Sequence, residues 1–179
     1  MQVFKYVTRV MHPRPVSIVV SRSRDGKVNG CAVAWFMPVN VDPFMFAITL
    51  SPRRLTYEYI KESGEVTLNV IPYRLAEAAH RAGSVSGREV EDKLTKFGFE
   101  LEPSVRVGVP HIKGVPAYAE GLLRNELQFS DRSLMVFECV HVHVDEKYFK
   151  DGAFTEDTEV LLHVGGNTYA RPCRYVRID

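Results

Sequence analysis

The stretch VSIVVSRSRDGKVNGCAVA, residues 16–34, carries the strongest structural signal in the sequence. Two runs rich in β-branched residues, at 16–21 and 28–34, stand on either side of a short polar segment around Asp25 and Gly26. An Asp-Gly pair between two such runs is typical of a tight β-hairpin, because glycine readily takes the positive φ angle that the turn needs. The stretch therefore predicts two antiparallel strands joined by a hairpin turn.

The rest of the chain adds more strands, with only short helices between them. Further strand-like runs lie at residues 44–50, 66–71, 117–128 and 133–144, and helical patterns lie at residues 56–63, 74–82 and 89–97. A doubly wound parallel sheet would need longer helices in regular alternation with the strands, which the sequence does not show. We therefore expect a mostly β fold with short helices: a six-stranded antiparallel barrel with the helices packed outside.

The composition fits one globular domain that covers residues 1–179. Hydrophobic residues make up 45% of the chain and charged residues 25%, as in ordinary folded proteins. The 23 Lys and Arg residues nearly balance the 22 Asp and Glu residues, so no basic excess favours binding to nucleic acid. The apolar runs are shorter than the roughly 20 residues that a membrane-spanning helix needs, so no membrane partner is expected.

The cysteines and the N-terminal residues favour a cytoplasmic location. The three cysteines, Cys31, Cys139 and Cys173, are odd in number and widely spaced, unlike the disulfide framework of a small secreted protein. Residues 1–15 lack the sustained apolar run of a secretory leader. We therefore expect the protein in a reducing cytoplasm.

The segment Ser51-Pro52-Arg53-Arg54-Leu55-Thr56 has the features of an anion site. A predicted strand ends here and a helix begins, so unpaired backbone N–H groups and the positive end of the helix dipole converge. Two guanidinium groups and two hydroxyls nearby suit a phosphate monoester, since arginine matches phosphate oxygens with paired N–H donors. The alternative is that Thr56 only caps the helix and both arginines are solvated.

The run from Asn29 to Pro38 is a second candidate site. Its small residues, followed by Trp35 and Phe36, could let a planar ligand lie against the backbone. A strand whose aromatic residues enter the core is the simpler interpretation of the same pattern. The glycine-rich strings of dinucleotide-binding and P-loop proteins, and the nucleophile elbow of hydrolases, do not occur in the chain.

A third candidate site is a set of possible metal ligands on the last long strand. Cys139, His141 and His143 alternate along it, so they would face the same way and could chelate a metal ion. No further ligand stands at a supporting local spacing, and solvent-facing residues of a half-buried strand explain the pattern more simply. We therefore predict no metal site, and keep a His/Cys metal-binding module as a remote alternative.

A series of short motifs extends in order over most of the chain. They are His12-Pro13-Arg14-Pro15-Val16, Asn29-x-x-Ala32-x-x-Trp35-Phe36-x-Pro38, Asp42-Pro43, Ser51-Pro52-Arg53-Arg54-x-Thr56-Tyr57-Glu58, Ser86-Gly87-Arg88-Glu89-Val90-x-Asp92-Lys93, Val142-x-Val144-Asp145-Glu146 and His163-x-Gly165-Gly166-x-x-Tyr169-Ala170. Together they resemble the flavin reductase-like family of FMN-binding split barrels, which includes flavoredoxins and an archaeal ferric reductase. Each motif is short, and their order and spacing make the resemblance specific.

The resemblance implies a homodimer of split barrels that binds FMN non-covalently near the subunit interface. The FMN phosphate would lie at the segment from Ser51 to Thr56, and the flavin ring along residues 32–37. The implied cofactor-binding residues are Asn29, Ala32, Val33, Ala34, Trp35, Phe36, Met37, Ser51, Arg53, Arg54, Thr56, Ser86, Gly166 and Tyr169.

The activity that the resemblance implies is that of a flavoprotein oxidoreductase. NAD(P)H would reduce the flavin, and the electrons would pass to free flavin, ferric iron or another small acceptor. Because the flavin carries the chemistry, no catalytic side chain is required. A flavoredoxin-like electron-transfer protein without nicotinamide activity is the alternative.

Overall fold

The computed structural model describes residues 2–176 and residue 178. The strands are β1 (Arg14–Pro15), β2 (Ser17–Arg22), β3 (Val28–Val33), β4 (Phe36–Asn40), β5 (Met45–Leu50), β6 (Glu65–Val70), β7 (Leu101–Glu102), β8 (His111–Ile112), β9 (Ala117–Gln128), β10 (Ser133–Val144), β11 (Phe149–Lys150), β12 (Ala153–Phe154), β13 (Leu162–Gly165) and β14 (Thr168–Ala170). The α-helices are α1 (Leu55–Ser63), α2 (Ala76–Ser84) and α3 (Lys93–Lys96), and 3₁₀ turns lie at Gln2–Met11, Tyr73–Leu75 and Glu156–Thr158. None of these helices has the length and apolar content that crossing a lipid bilayer requires.

The core of the fold is one antiparallel sheet in the order β3-β2-β6-β9-β10-β5-β4. The predicted antiparallel, mostly β fold is confirmed, but the main sheet has seven strands and not six. The extra strand is β4, which pairs with β5 alone and contains Pro38. A proline cannot donate to a neighbouring strand and is confined to sheet edges, so the sequence of β4 does not look like that of a central strand.

The sheet remains open between β3 and β4, its two edge strands. These strands are consecutive in the chain, and only Ala34 and Trp35 separate them. Near this crossing the backbone N–H of Thr49 on β5 donates to the carbonyl of Trp35 at 2.8 Å. The chain itself thus bridges the split of the barrel, at the residues predicted to lie beside a planar ligand.

The predicted hairpin is present, and the helices differ from their predicted bounds. β2 and β3 pair in register across the turn at Gly26, whose φ is +90°. α1 begins at Leu55 and ends at Gly64, which adopts the left-handed conformation. The predicted helix at 89–97 is reduced to α3, because the backbone turns at Asp92 with φ of +49°.

Both faces of β2 are buried, each in an apolar cluster to which a helix contributes. Val19 belongs to a cluster that also contains Phe46, Phe137 and Ile60 of α1. Ile18 and Val20 point the other way, into a cluster that includes Ala79 and Ala82 of α2. The two helices are therefore held against opposite faces of the sheet by apolar burial, the dominant favourable contribution to folding.

A buried carboxylate anchors the irregular segment between β7 and β9. Glu120 on β9 is fully buried. Its two oxygens accept hydrogen bonds from the backbone N–H groups of Val105, Arg106 and Val107 at 2.6–3.1 Å. Since a buried carboxylate needs such donors, its burial here fixes this segment against the sheet.

A second carboxylate ties α1 to the sheet. Glu126 on β9 accepts hydrogen bonds from Tyr57 at 2.8 Å, from Lys61 at 2.6 Å and from Ser133. Its side chain is only 12% exposed. Burial alone would raise the pKa of Glu126, but the hydrogen bonds from Lys61, Ser133 and Tyr57 outweigh it and hold the pKa at about 2.

This depressed pKa makes stability depend on pH. The folded pKa of Glu126 lies below its ordinary value of 4.5, so the stabilisation is present above about pH 5 and is lost as the pH falls towards 2. We expect Glu126→Gln to lower the free energy of unfolding by about 1–3 kcal/mol at pH 7, and by much less near pH 2. Urea unfolding of both proteins at several pH values measures this difference.

The matched control is Glu138→Gln on the neighbouring strand. Glu138 pairs with Arg124 in a partly exposed ion pair, which should contribute less than about 1 kcal/mol. A cost for Glu126→Gln that is the same at pH 7 and pH 2 would show that the carboxylate charge is not what holds α1.

Candidate functional site

A cavity of about 420 Å³ lies at the N-terminus of α1, and we call it the α1 cavity. Six of the sequence-predicted residues line it together. The lining residues are Asn29, Cys31, Ser51, Arg53, Arg54, Leu55, Thr56, Ser84, Val85, Ser86, Gly87, Glu89, Lys93 and Arg132. Segments that are far apart in the sequence therefore converge where β5 ends and α1 begins.

The N-terminus of α1 offers free backbone donors to this cavity. Arg54 is the N-cap residue, and its side chain makes no capping hydrogen bond. Thr56 lies within the first turn and is not the cap, contrary to the alternative considered from the sequence. Its buried hydroxyl accepts a hydrogen bond from the Asn29 side chain at 2.8 Å. The N–H groups of Leu55 and Thr56 have no partner within the helix, so they suit an anion, whereas the N–H of Tyr57 donates to the Arg54 carbonyl at 3.0 Å.

Basic side chains surround these donors. The Arg54 guanidinium donates to the carbonyl of Gly83 at 2.7 Å, which fixes its position between α1 and α2. The Arg53 side chain is exposed at the mouth of the cavity. Together with Lys93 and Arg132, these residues face a single acidic lining residue, Glu89. The excess of positive charge and the uncapped helix N-terminus fit a phosphate dianion.

Lys93 also lines the α1 cavity, although the sequence did not predict it as a site residue. Its side chain is buried, and its ammonium donates to the carbonyls of Ala82 at 2.8 Å and Val85 at 2.7 Å. Burial lowers the pKa of Lys93 from its ordinary value. The Asp92-Lys93 pair is part of one of the family motifs, but the motif alone does not indicate what Lys93 does.

The loop at residues 84–87 closes the cavity because position 87 is a glycine. A Cβ atom on Gly87 would overlap the Asn29 side-chain oxygen and lie 2.9 Å from Leu55. The loop therefore approaches β3 and α1 more closely than any other residue would allow. Ser86, which is among the sequence-predicted residues, accepts a hydrogen bond from the backbone N–H of Arg88 at 3.2 Å within this loop.

A second cavity, of about 470 Å³, lies along the end of β3, and we call it the β3 cavity. Arg54 and Arg132 line both cavities, so the two adjoin. Its lining residues are Thr8, Arg9, His12, Val16, Ala32, Val33, Ala34, Trp35, Arg54, His80, Gly83, Ser84, Arg132, His163, Gly166, Asn167 and Tyr169. The sequence-predicted residues from Ala32 to Trp35, with Gly166 and Tyr169, are thus brought together here.

A hydrogen-bonded pair forms one wall of the β3 cavity. The Tyr169 hydroxyl lies 3.1 Å from Nδ1 of His80, whose Nε2 lies 3.4 Å from the Ser84 hydroxyl. Burial raises the pKa of Tyr169, so the phenol keeps its proton and can donate to His80. His80 was not among the sequence-predicted residues, because nothing in its helical surroundings distinguishes it from a surface histidine.

Phe36 and Met37 line neither the α1 cavity nor the β3 cavity. They line a separate pocket of about 240 Å³ with Trp35 and apolar neighbours such as Met11 and Leu134. The predicted ring-side segment therefore divides at Trp35, which lines both the β3 cavity and this smaller pocket.

The candidate metal ligands on β10 lack the predicted geometry. Cys139 pairs with Gly121 and His141 with Glu120, so Val140 is an extra residue and breaks the alternation along the strand. The Cys139 thiol donates to the carbonyl of His141 at 3.3 Å. Among the residues that the structure describes, no group of three or more His, Cys, Asp or Glu side chains could hold a metal ion.

Comparisons with known proteins agree on one family. The family model of the flavin reductase like domain matches residues 9–169. A flavoredoxin of Desulfovibrio vulgaris (Miyazaki F) has a similar structure, with a TM-score of 0.83 and 25% identity over 93% of this chain and 91% of that one. An FMN-binding protein from Thermus thermophilus gives a TM-score of 0.81 and 26% identity over 94% of this chain and 91% of its own.

A relative from Aeropyrum pernix with no described function is 28% identical over 159 residues, which cover 88% of this chain. The chain spans only 59% of the length of that relative. The family match, in contrast, extends over nearly all of the residues that build the sheet and both cavities. The chain belongs to the flavin reductase-like family, whose solved members share its split-barrel fold.

Proposed function

We propose that this protein binds FMN and acts as an NAD(P)H-dependent oxidoreductase that passes electrons to free flavin, ferric iron or another small acceptor. The single observation that carries the proposal is the uncapped N-terminus of α1, with Arg53 and Arg54 beside it, next to the small residues of β3. This arrangement suits a ligand that has a phosphate at one end and a planar ring at the other.

The FMN phosphate would be held by the backbone N–H groups of Leu55 and Thr56, by Arg53 and Arg54, and by the hydroxyl of Ser51. The ring would lie in the β3 cavity against residues 32–35, where the backbone at the sheet edge can approach it. FMN, when bound, supplies reversible hydride and electron transfer, so the chain needs no nucleophile or catalytic acid of its own. The role of the protein is to bind the cofactor, orient it and shield it from water.

The identities of two structurally similar proteins support this proposal. One is an FMN-binding protein, solved with p-hydroxybenzaldehyde bound, and the other is a flavoredoxin. The likeness to the flavoredoxin favours a second candidate function, an electron-transfer flavoprotein that does not react with nicotinamide cofactors. The two functions differ only in the electron donor, so one kinetic experiment separates them.

A homodimer is also part of the proposal. β4 is an edge strand, and its apolar residues Met37 and Val39 are 49% and 43% exposed, with Val41 and Phe44 beside it. An apolar, unpaired edge strand is prone to associate with another chain. A two-fold dimer through this edge would cover it, and such dimers are the most frequent closed assemblies.

We place the protein in the cytoplasm on chemical grounds. Its three cysteines are all free, and Cys173 is exposed. Exposed free thiols persist where glutathione and thioredoxin keep them reduced.

The first test concerns the phosphate contact. Arg53→Ala removes a charge-assisted hydrogen bond, which is worth about 1.5–3 kcal/mol, so FMN affinity should fall roughly ten- to a hundredfold. Riboflavin lacks the phosphate, so its affinity should hardly change in the same variant. Fluorescence titration of both flavins against wild type and variant measures the two effects.

Arg24→Ala is the matched control, because Arg24 is an exposed arginine in the hairpin turn that lines neither cavity. Its loss should leave both affinities unchanged. Equal weakening of FMN and riboflavin by Arg53→Ala would mean that Arg53 acts on the fold or the ring, and the phosphate assignment would be wrong.

The second test concerns the electron donor. FMN-loaded protein is mixed with NADH or with NADPH in the absence of oxygen, and the visible absorbance of the flavin is followed. We expect rapid bleaching with at least one of the two cofactors. If the absorbance persists with both while dithionite still bleaches it, the protein is a carrier without nicotinamide activity.

The third test concerns the dimer. Sedimentation equilibrium should give twice the chain mass for wild type. Val39→Asp should weaken the dimer at least tenfold, because it places an unpaired charge in an apolar contact. Val105→Asp is the control, since Val105 is 62% exposed in a segment away from β4 and should leave the mass unchanged. A wild-type monomer that binds FMN tightly would contradict the proposed assembly.

A further inference from the structure

The charged residues that line the β3 cavity are all basic. Three guanidinium groups (Arg9, Arg54 and Arg132) and three imidazoles (His12, His80 and His163) line it, and none of its lining residues is acidic. The chain as a whole carries 22 acidic residues and a net charge of +1. The positive lining is therefore a local arrangement and does not follow from the composition.

One end of this cavity is separate from the α1 cavity. Arg54 and Arg132 border both, so a phosphate bound at α1 would neutralise them in part. We call the part lined by Arg9, His12 and His163 the far end, because none of the three lines the α1 cavity. The charge at this far end remains available to a second ligand.

Arg9 is positioned at the far end and has no acidic partner there. Among residues 2–176 and 178, no carboxylate lies within ion-pair distance of its guanidinium, which packs 4.1 Å from the centre of the Tyr6 ring. Its side chain lies along the turn between β13 and β14. A Cβ on Gly165 would come within 3.2 Å of the Arg9 side chain, and one on Gly166 within 3.5 Å.

The paired glycines therefore have a specific role. Gly165 and Gly166 have φ of +146° and +57°, and they also leave room for Arg9 against the turn. A larger residue at Gly165 would push Arg9 away from its present position.

Flat rings form the walls around this charge. His12 donates from Nδ1 to the carbonyl of His163 at 2.9 Å, and His163 donates from Nε2 to the carbonyl of Gly166 at 2.9 Å. These bonds fix the orientation of both rings, whose centres are 4.8 Å apart. Tyr169 lies beside them, 5.4 Å from the His163 ring, and Trp35 lines the same cavity. Such walls suit a planar molecule.

We propose that the second substrate, which meets the flavin in the β3 cavity, is a small planar carboxylate whose negative charge is bound by Arg9. The guanidinium of arginine can bind both oxygens of a carboxylate with parallel N–H donors. The inference rests on the proposed function, because the flavin gives the cavity its reactive partner. It goes further by naming the chemical class of that substrate.

The test uses benzoate and benzamide, which have the same planar shape but differ in charge. Calorimetric titration of FMN-loaded protein should show benzoate binding at least tenfold more tightly than benzamide. Arg9→Gln should weaken benzoate about ten- to a hundredfold and leave benzamide unchanged. Arg24→Gln removes the same charge far from the cavity and should change neither affinity, and an unchanged circular dichroism spectrum of Arg9→Gln shows that the variant is folded.

Three results would overturn the inference: no binding of benzoate, equal affinities for the acid and the amide, or no effect of Arg9→Gln on benzoate. Inorganic phosphate is titrated in the same way, and phosphate binding that is as tight as benzoate binding and as dependent on Arg9 would make this a phosphate site instead. The titrations are repeated without flavin. If the protein binds benzoate but not FMN, only the proposed function fails, and if it binds FMN without preferring benzoate, only this inference fails.

Discussion

The constraint on which this structure depends is that the two edges of its sheet are consecutive strands. Because β3 and β4 are joined by only Ala34 and Trp35, the chain must cross the open side of the barrel at that point. Edge strands expose unpaired backbone N–H and C=O groups, which need water, a ligand or another chain as partner. Both cavities border this edge, and β4 presents its apolar residues beside it. The opening of the barrel thus brings both cavities and the exposed apolar residues of β4 to one edge of the sheet.

The sequence predicted the parts of the fold that are set by local interactions. The hairpin at Gly26 and the end of α1 at Gly64 depend on positive φ angles that glycine supplies, and both are present. β4 was missed because Pro38 removes the pattern of a paired strand, and only its position at an edge makes the proline acceptable. The alternation along β10 was wrong beyond Cys139, because a bulge adds one residue and no residue type marks it.

The residues of the candidate site also fall into those whose proximity the sequence predicts and those that only the folded structure brings together. Ser51, Arg53, Arg54 and Thr56 lie within one short segment, so their proximity follows from the end of a strand and the start of a helix. Lys93 and Arg132 reach the same cavity from distant segments, through packing that sequence spacing does not reveal. The tight approach of Gly87 to Asn29 is a further example, since the sequence shows a glycine but not what lies opposite its missing Cβ.

The near-neutral net charge conceals a separation of charges within the molecule. Two carboxylates on β9 serve the fold: Glu120 is satisfied by backbone N–H groups, and Glu126 by Tyr57, Lys61 and Ser133. The β3 cavity has no acidic lining residue and the α1 cavity has only Glu89, so arginines outnumber acids around both. An anion that binds in such a positively charged cavity binds only the folded chain, so it stabilises the fold by mass action. Affinity for anions and stability are thereby coupled at the open edge of the barrel, although the composition of the chain indicates neither.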